Sequence, residues 1–168
     1  MSKNIDIAKT LDKMTEALRP HLEHNPLMIG IHSGGVWVAE HLHRKLGLDE
    51  PLGTLDISFY RDDFTRIGMN PQVKTSDLST SVEGRYIILV DDVLHTGRTI
   101  RAAMNEIFDY GRPDTIVLAC LIERDGHELP IRADVAGESL TLKANEHIKL
   151  VRDEKDGTLS LTLQEASG

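Results

Sequence analysis

Apolar residues recur at helical spacing near the start of the chain and in uninterrupted runs further along it. Residues 5–18 carry apolar side chains three or four positions apart and end before Pro20, which predicts an amphipathic helix. Short apolar runs follow, each bounded by glycine or polar residues, and such runs are typical of buried parallel strands. The predicted strands are residues 27–31, 52–60, 86–90 and 115–122.

Helical patterns lie between these strands. Residues 36–46, closed by Gly47, and residues 99–110, closed by Gly111, predict two helices. Strands that alternate with helices form a parallel sheet through right-handed crossovers, and ligands bind at the carboxyl ends of its strands. The expected fold class is therefore α/β.

Two segments do not follow this alternation. Residues 61–84 carry polar residues, glycine and proline without a sustained period, and loops of this length are usually lids or disordered. Residues 147–153 and 158–163 flank Lys155-Asp156-Gly157, which predicts an antiparallel hairpin with an Asp-Gly turn. We expect one domain, residues 1–168, with a flexible loop at about 61–84.

Composition agrees with a single domain. The 168 residues, 40% of them hydrophobic, can bury a core but leave no room for a second domain. No apolar run approaches the length of a membrane span, and the beginning of the chain lacks the apolar core of a signal peptide. The only cysteine, Cys120, lies in an apolar run and is expected as a buried thiol. We expect a cytoplasmic protein with no membrane partner.

The most informative segment joins two neighbouring carboxylates to a short loop that contains glycine. Asp91 and Asp92 follow a predicted strand, and Thr96-Gly97-Arg98-Thr99 precedes a predicted helix. Backbone N–H groups at a helix start bind phosphate, and glycine permits close approach. Carboxylates are acceptors, so beside a phosphate they are expected to face hydroxyl groups or Mg²⁺. A phosphorylated sugar with free hydroxyls, such as a phosphoribosyl group, satisfies both halves of the motif.

Each part of this pattern also has an ordinary structural explanation. Aspartate is common where a parallel strand enters a loop, and Thr96 or Thr99 can simply cap the helix that follows. A second loop, His32-Ser33-Gly34-Gly35, follows the predicted strand at 27–31 and is either a plain turn or a set of amides that face an anion.

Four segments together resemble the PyrR family of the type I phosphoribosyltransferases. They are residues 90–99, 55–63, 109–113 and 128–134, and the similarity extends from about residue 27 to residue 134. The family attenuates pyrimidine operons and also acts as a uracil phosphoribosyltransferase. The resemblance implies the type I phosphoribosyltransferase fold, with a central parallel sheet flanked by helices, a small hood and, here, a C-terminal β-hairpin.

The resemblance also implies a reaction: uracil and phosphoribosyl pyrophosphate (PRPP) give UMP and pyrophosphate, with Mg²⁺ as cofactor. Asp91, Asp92 and Arg61 are the expected catalytic residues; the aspartates hold the ribose hydroxyls, and the arginine contacts pyrophosphate. Whether the protein contacts Mg²⁺ directly stays open, and no side chain is identified as a general base. The residues expected to bind PRPP are His32, Ser33, Gly34, Gly35, Asp91, Asp92, Val93, Leu94, His95, Thr96, Gly97, Arg98 and Thr99.

In the family, the segment that corresponds to residues 120–134 forms a hood over the nucleobase. The expected base contacts of this chain are Arg124, Ile131 and Val135. Gly126 and His127 stand where relatives carry His and Arg, so the basic residues that serve RNA are depleted here. The formal net charge of −8 also disfavours binding of nucleic acid through overall charge, although it leaves room for a local basic face.

Two alternatives to a uracil phosphoribosyltransferase remain. One is an RNA-binding regulator of pyrimidine genes that responds to UMP and PRPP and binds the mRNA leader of a pyrimidine operon; both functions can coexist. The other is a purine phosphoribosyltransferase, because the PRPP motif is shared and only the hood selects the base. The chain has one Trp, three Tyr and three Phe, too few for a base-stacking RNA platform. The resemblance also implies a homo-oligomer.

Overall fold

The computed structural model describes residues 5–57 and 76–165. The helices are α1 (Ile7–Leu18), a 3-10 helix (Arg19–His24), α2 (Gly34–Leu46) and α3 (Arg98–Tyr110). The strands are β1 (Leu27–Ile31), β2 (Gly53–Leu55), β3 (Tyr86–Leu94), β4 (Thr115–Arg124), β5 (Val135–Leu140), β6 (Glu146–Arg152) and β7 (Leu159–Glu165). Across these two ranges, no helix has the length and apolar character that crossing a bilayer requires.

A five-stranded sheet in the order β2-β1-β3-β4-β5 forms the centre of the fold. All four strand pairs are parallel, as the alternation of strands and helices predicts. The apolar run at the start of β3 is buried on both faces, which explains why this strand lies in the middle. The carboxyl ends of β1 and β3 lead into α2 and α3, so the N-termini of both helices lie at the same edge of the sheet.

One apolar cluster covers each face of the sheet. Successive residues of a strand point to opposite faces, and accordingly Ile88 packs with α1 and α2 whereas Ile87 packs with α3. The spacing of Leu11, Met14 and Leu18 places one face of α1 in the first cluster, as the helical periodicity predicts. These two clusters hold the carboxyl edge of the sheet in place.

The main difference from the predicted elements concerns the end of β3. The prediction ended this strand at residue 90, but it continues to Leu94, because Asp91 pairs with Cys120 and Val93 with Ile122 on β4. The acidic pair therefore belongs to the strand, and the loop begins only at His95. β4 likewise extends two residues beyond its predicted end at 122.

Smaller differences occur at other elements. β2 comprises only Gly53–Leu55 of the predicted strand 52–60, whose last three residues lie outside the described ranges. The hairpin is confirmed, with β6 and β7 displaced by one or two residues from the prediction. The 3-10 helix and β5 were not predicted. Of the predicted loop 61–84, residues 76–84 are described; Asp77 there exchanges two backbone hydrogen bonds with Thr54, each 2.9 Å, and Val82 is buried.

Candidate active site

The acidic pair occupies the carboxyl end of the central strand. Asp91 is 5% exposed, and its Oδ1 accepts a hydrogen bond of 2.8 Å from the backbone N–H of Asp92. Oδ1 of Asp92 accepts a bond of the same length from the N–H of Val93, and Asp92 is more accessible than Asp91. These bonds to the strand's own backbone hold both carboxylates at the edge where α2 and α3 begin.

The glycine loop after β1 lies directly against this pair. A Cβ atom added to Gly34 would lie 2.1 Å from Oδ2 of Asp92, and one added to Gly35 would lie 2.7 Å from the carbonyl oxygen of Val90. Only glycine leaves room for this approach. The structure therefore brings together two predicted parts of the site that are more than fifty residues apart in the chain.

The same glycines are the first residues of α2. Ser33 precedes the helix, and its carbonyl oxygen accepts hydrogen bonds from the N–H groups of Val36 and Trp37, at 3.1 and 3.2 Å. The first N–H groups of a helix have no carbonyl partner within the helix and carry its positive dipole end. The start of α2 thus supplies donors for an anion beside the acceptor oxygens of Asp92. Ahead of it, the N–H of His32 donates to the carbonyl of Leu55.

The loop after β3 consists of His95, Thr96 and Gly97. Gly97 has a φ of 99°, in the left-handed region that favours glycine, and it precedes the first residue of α3. The hydroxyl of Thr96 accepts a 3.2 Å hydrogen bond from the N–H of Arg98. The ordinary explanation, in which Thr96 satisfies a free amide of the helix, therefore holds, and it is compatible with anion binding by the other amides.

The predicted hood lies on this loop. The carbonyl oxygen of Thr96 accepts hydrogen bonds from the N–H groups of Glu128 and Leu129, at 2.9 and 3.1 Å. A Cβ added to Gly97 would lie 3.4 Å from Cβ of Ile131, and Arg98 forms an exposed 2.9 Å ion pair with Glu128. Ile131, a predicted base contact, is thereby placed next to the predicted phosphate loop.

Two other predicted base contacts have clear partners within the protein. Arg124 is buried, and its guanidinium donates to the carbonyl oxygens of Glu146, at 2.8 Å, and Asp125, at 3.3 Å. Val135 packs in the apolar cluster that includes α1. Their roles toward a nucleobase stay predictions.

An acid–histidine pair inside the hood was not predicted from the sequence. Nε2 of His127 lies 3.5 Å from Oε2 of Glu123, and the two side chains are 14% and 16% exposed. Glu123 also accepts a 3.3 Å hydrogen bond from the N–H of Ala133, so it connects both ends of the hood. The spacing of four residues between an acid and a histidine, directly after a strand, was the signal available in the sequence.

His95 lies under the tip of the hood. A Cβ added to Gly126 would lie 2.8 Å from Nε2 of this histidine. Burial lowers the pKa of His95 below its ordinary value, and the nearby Arg124 and His147 lower it further. The imidazole is therefore mainly neutral at pH 7.

Cys120 is a buried free thiol, as predicted. It pairs across the sheet with Asp91, and burial, reinforced by the charge of Asp91, raises its pKa well above the ordinary value. A thiol that stays protonated in the core is a poor nucleophile. Arg61, the third predicted catalytic residue, lies outside the described residues.

No group of three or more His, Cys, Asp or Glu side chains within residues 5–57 and 76–165 could hold a metal ion. The carboxylates at the carboxyl edge, Asp91 and Asp92, nevertheless present oxygen ligands, the type that Mg²⁺ prefers.

Comparisons with known proteins agree with this geometry. A model of the phosphoribosyl transferase domain matches residues 3–154. The chain is 55% identical over 148 residues to the "Bifunctional protein PyrR" of Pseudomonas paraeruginosa (strain DSM 24068 / PA7), covering 86% of this chain and 87% of the relative. It is 64% identical over 129 residues to the protein of the same name from Nitrosococcus oceani, covering 76% and 73%.

Solved structures show the same architecture. The purine phosphoribosyltransferase of Pyrococcus horikoshii Ot3 superimposes with a TM-score of 0.62 at 25% identity, over 81% of this chain and 86% of that one. The hypoxanthine phosphoribosyl transferase of Trypanosoma cruzi, at 18% identity, has a TM-score of 0.64 over 81% and 74% of the two chains, which supports the fold alone. The predicted fold is thus confirmed, and with the family-domain match and the identity to its curated relatives it establishes that the chain belongs to the PyrR family of phosphoribosyltransferases.

Proposed function

We propose that this protein transfers the phosphoribosyl group of PRPP to uracil, producing UMP and pyrophosphate. One observation carries the proposal: Gly34 and Gly35, at the positive end of α2, lie in contact with the strand end that bears Asp91 and Asp92. Anion donors and hydroxyl acceptors are thereby adjacent, which is what a sugar with a diphosphate on its anomeric carbon requires. The name of the curated relatives supports this assignment.

Phosphoribosyl transfer requires the protein to stabilise charges of both signs in the transition state. The bond between the anomeric carbon and pyrophosphate breaks as positive charge develops on the sugar, by analogy with the transition state of glycosidases. Asp91 and Asp92 would hold the ribose hydroxyls and stabilise this positive charge. The N–H groups at the start of α2 would stabilise the negative charge on the departing pyrophosphate, and those of Thr96, Gly97 and Thr99 would bind the 5-phosphate.

Mg²⁺, when bound, would supply neutralisation of the charge on the diphosphate and polarisation of the leaving group. Asp92, the more accessible carboxylate of the pair, is the residue that would hold it, since Mg²⁺ in such sites takes one or two carboxylates together with substrate phosphates. We also propose that Arg61 contacts the pyrophosphate, as the resemblance implies.

The nucleobase would lie between the hood and the acidic pair. Ile131 is placed beside the phosphate loop, where its side chain would contact the ring, and Arg124 and Val135 are the further proposed contacts. Because a related structure belongs to a purine phosphoribosyltransferase, the preference for uracil needs a direct test. Product formation should be compared with uracil, hypoxanthine and guanine as acceptors. A faster reaction with either purine would overturn the assignment to uracil.

The central experiment replaces Asp91 and Asp92 together with asparagine. Each substitution keeps the shape of the side chain and removes its charge, so we expect UMP synthesis to fall by at least about 100-fold for each carboxylate, in line with the removal of other transition-state contacts. Circular dichroism should show an intact fold. The reaction is followed by the appearance of UMP from uracil and Mg²⁺-PRPP.

A matched control removes the same charge elsewhere. Asp12 and Asp109 are exposed on α1 and α3, away from the carboxyl edge, and their joint replacement with asparagine should leave turnover unchanged. Wild-type turnover in the Asp91→Asn/Asp92→Asn variant would refute the proposed function. Calorimetry that detects no binding of Mg²⁺-PRPP to the wild-type protein would also refute it.

A second function, RNA-dependent regulation, is favoured by the name "Bifunctional protein PyrR" of the curated relatives. The hood itself offers little positive charge: Arg98 is paired with Glu128, and exposed Arg132 has exposed Asp125 and Asp134 in the same segment. We propose catalysis as the main activity. A gel-shift titration with the mRNA leader of a pyrimidine operon, with and without UMP, tests the second function; a UMP-dependent shift would establish RNA-dependent regulation, and its absence would leave catalysis alone. The free thiol of Cys120 supports a cytoplasmic location.

A further inference from the structure

A cavity of about 360 Å³ lies between α1, α2 and the C-terminal hairpin. None of its lining residues belongs to the candidate active site. Leu11 on α1 and Leu159 on the hairpin contribute apolar walls, and Trp37, the only tryptophan of the chain, contributes an aromatic one. Ligand cavities usually measure about 300–1,000 Å³, with mostly apolar walls and a few polar groups that orient the ligand. The cavity thus has the size and composition of a small-molecule site.

One stripe of α2 provides most of the polar lining. Trp37, Glu40, His41 and Arg44 are spaced by three or four residues and therefore share a face of the helix. The opposite face, which includes Leu42, is buried in the apolar cluster with α1. The stripe therefore lines the cavity, and the indole ring of Trp37 and the guanidinium of Arg44 are two helical turns apart along it.

Two arginines place positive charge in this cavity. The Cζ atom of Arg152 lies 4.8 Å from the ring centroid of Trp37, a cation–π contact that holds the guanidinium at the cavity wall. Its ion pair with Glu40 is long, 3.8 Å, and both side chains are about half exposed, at 45% and 54%. Such a pair contributes little and is easily displaced.

The second arginine has a neutral partner. Nη2 of Arg44 lies 3.4 Å from Nδ1 of His41, to which it can donate when the imidazole is neutral. Burial lowers the pKa of His41, with further lowering by Arg44 and Lys45, so the neutral form prevails at pH 7. Two guanidinium groups thus face one carboxylate in the lining, although the whole chain carries a net charge of −8.

We propose that this cavity binds a small aromatic anion, a planar ring that carries a carboxylate, sulfonate or phosphate group. The ring would pack against Trp37 and the leucine walls, and the acid group would accept hydrogen bonds from Arg44 and Arg152. Arginine suits this task because its planar guanidinium binds acid groups through two parallel hydrogen bonds. The site is separate from the proposed PRPP site and does not depend on the proposed reaction.

The single tryptophan makes the proposal directly measurable. The probe is 8-anilino-1-naphthalenesulfonate, an aromatic sulfonate that accepts excitation energy from a nearby indole. We expect saturable energy transfer from Trp37, which the variant Trp37→Phe should abolish while the probe's own emission still reports binding. The double variant Arg44→Gln/Arg152→Gln should raise the dissociation constant of the probe at least tenfold.

Two further variants locate the binding. Arg101 and Arg112 are exposed elsewhere on the protein, and replacing both with glutamine makes the same change in charge, so this control should bind the probe with unchanged affinity. The Asp91→Asn/Asp92→Asn variant should also bind it normally. The absence of saturable transfer, an equal loss of affinity in the control, or a loss of binding in the aspartate variant would overturn the proposal.

Competition identifies the source of the ligand and tests the need for charge. 1-Naphthoate should displace the probe, and the neutral 1-naphthalenemethanol should be at least tenfold weaker. Displacement by UMP as well would assign the cavity to nucleotides, whereas displacement by naphthoate alone would assign it to other aromatic acids. Equal potency of the alcohol and the acid, or displacement by neither anion, would overturn the proposal.

Discussion

Replacing Gly34 with alanine tests whether the position of the Asp92 carboxylate governs catalysis. The new Cβ would lie 2.1 Å from Oδ2 and 2.6 Å from Cγ of Asp92, whereas ordinary contacts begin at 3.4 Å. The carboxylate must therefore move by about 1.3 Å. A misplacement of about 1 Å in an active site can cost about 100-fold in rate, equivalent to about 2.7 kcal/mol of transition-state stabilisation. We expect kcat/KM for UMP synthesis to fall by about that factor.

Stability should change much less than activity. Gly34 is the first residue of α2, where alanine is a better helix former by up to about 1 kcal/mol. The partly exposed Asp92 carboxylate can turn toward solvent at the cost of its hydrogen bond to the N–H of Val93, about 1 kcal/mol. The same substitution at Gly35 would instead meet backbone atoms, 2.7 Å from the carbonyl oxygen of Val90, so that variant should also lose stability. Urea unfolding of each variant separates the two effects.

Gly47→Ala, just past the carboxyl end of the same helix, provides the control. Gly47 has a φ of 66° and open space around its missing side chain, so alanine there should cost about 1–2 kcal/mol in stability and leave kcat/KM unchanged. A Gly34→Ala variant that folds normally and retains wild-type kcat/KM would show that the placement of the Asp92 carboxylate is irrelevant to turnover.

Other substitutions probe the hood and the far edge of the sheet. Gly97→Ala, at a φ of 99°, should lower the unfolding free energy in urea by about 1–2 kcal/mol; an unchanged value would contradict the strain argument. Glu123→Gln, which weakens the pair with His127, should raise KM for uracil more than KM for PRPP in steady-state assays, and equal changes would argue against a role in the hood. Hydrogen bonding to Arg85 lowers the pKa of Glu50 below its ordinary 4.5, so their pair stabilises the fold above that pH and is lost as the pH falls through the lowered value. Glu50→Gln should accordingly be less stable than the wild type at pH 7, with a difference that shrinks below pH 4.5; a difference that stays constant down to pH 3 would refute this account.

The sequence was most informative where one local pattern decides the structure. Uninterrupted apolar runs located β1 and the first half of β3, and the Asp-Gly turn located the hairpin. The end of β3 could not be found in this way, because Asp91 and Asp92 are polar and only pairing with β4 keeps them in the sheet. The alternation of strands and helices does not encode strand order, which decides that β1 lies beside β3.

For the candidate site, the sequence predicted the residues but not their contacts. An acidic pair and glycine loops have few uses in combination, so their presence pointed to the site. The contact of Gly34 with Asp92 could not be predicted, because it depends on two crossovers that bring distant segments to one edge of the sheet. The pairing of Glu123 with His127 depends on how the hood folds back after β4, which no local periodicity specifies.

Cys120, on β4, gives this protein a chemical reporter of motion beside β3, the strand that carries the acidic pair. Its sulfur is fully buried and its chain position is opposite Asp91, so a thiol-specific reagent can reach it only when the middle of the sheet transiently opens. The rate of labelling under native conditions therefore measures how often β3 and β4 separate next to the acidic pair. A bound donor substrate that stabilises this pairing would slow the labelling, without any mutation of the protein.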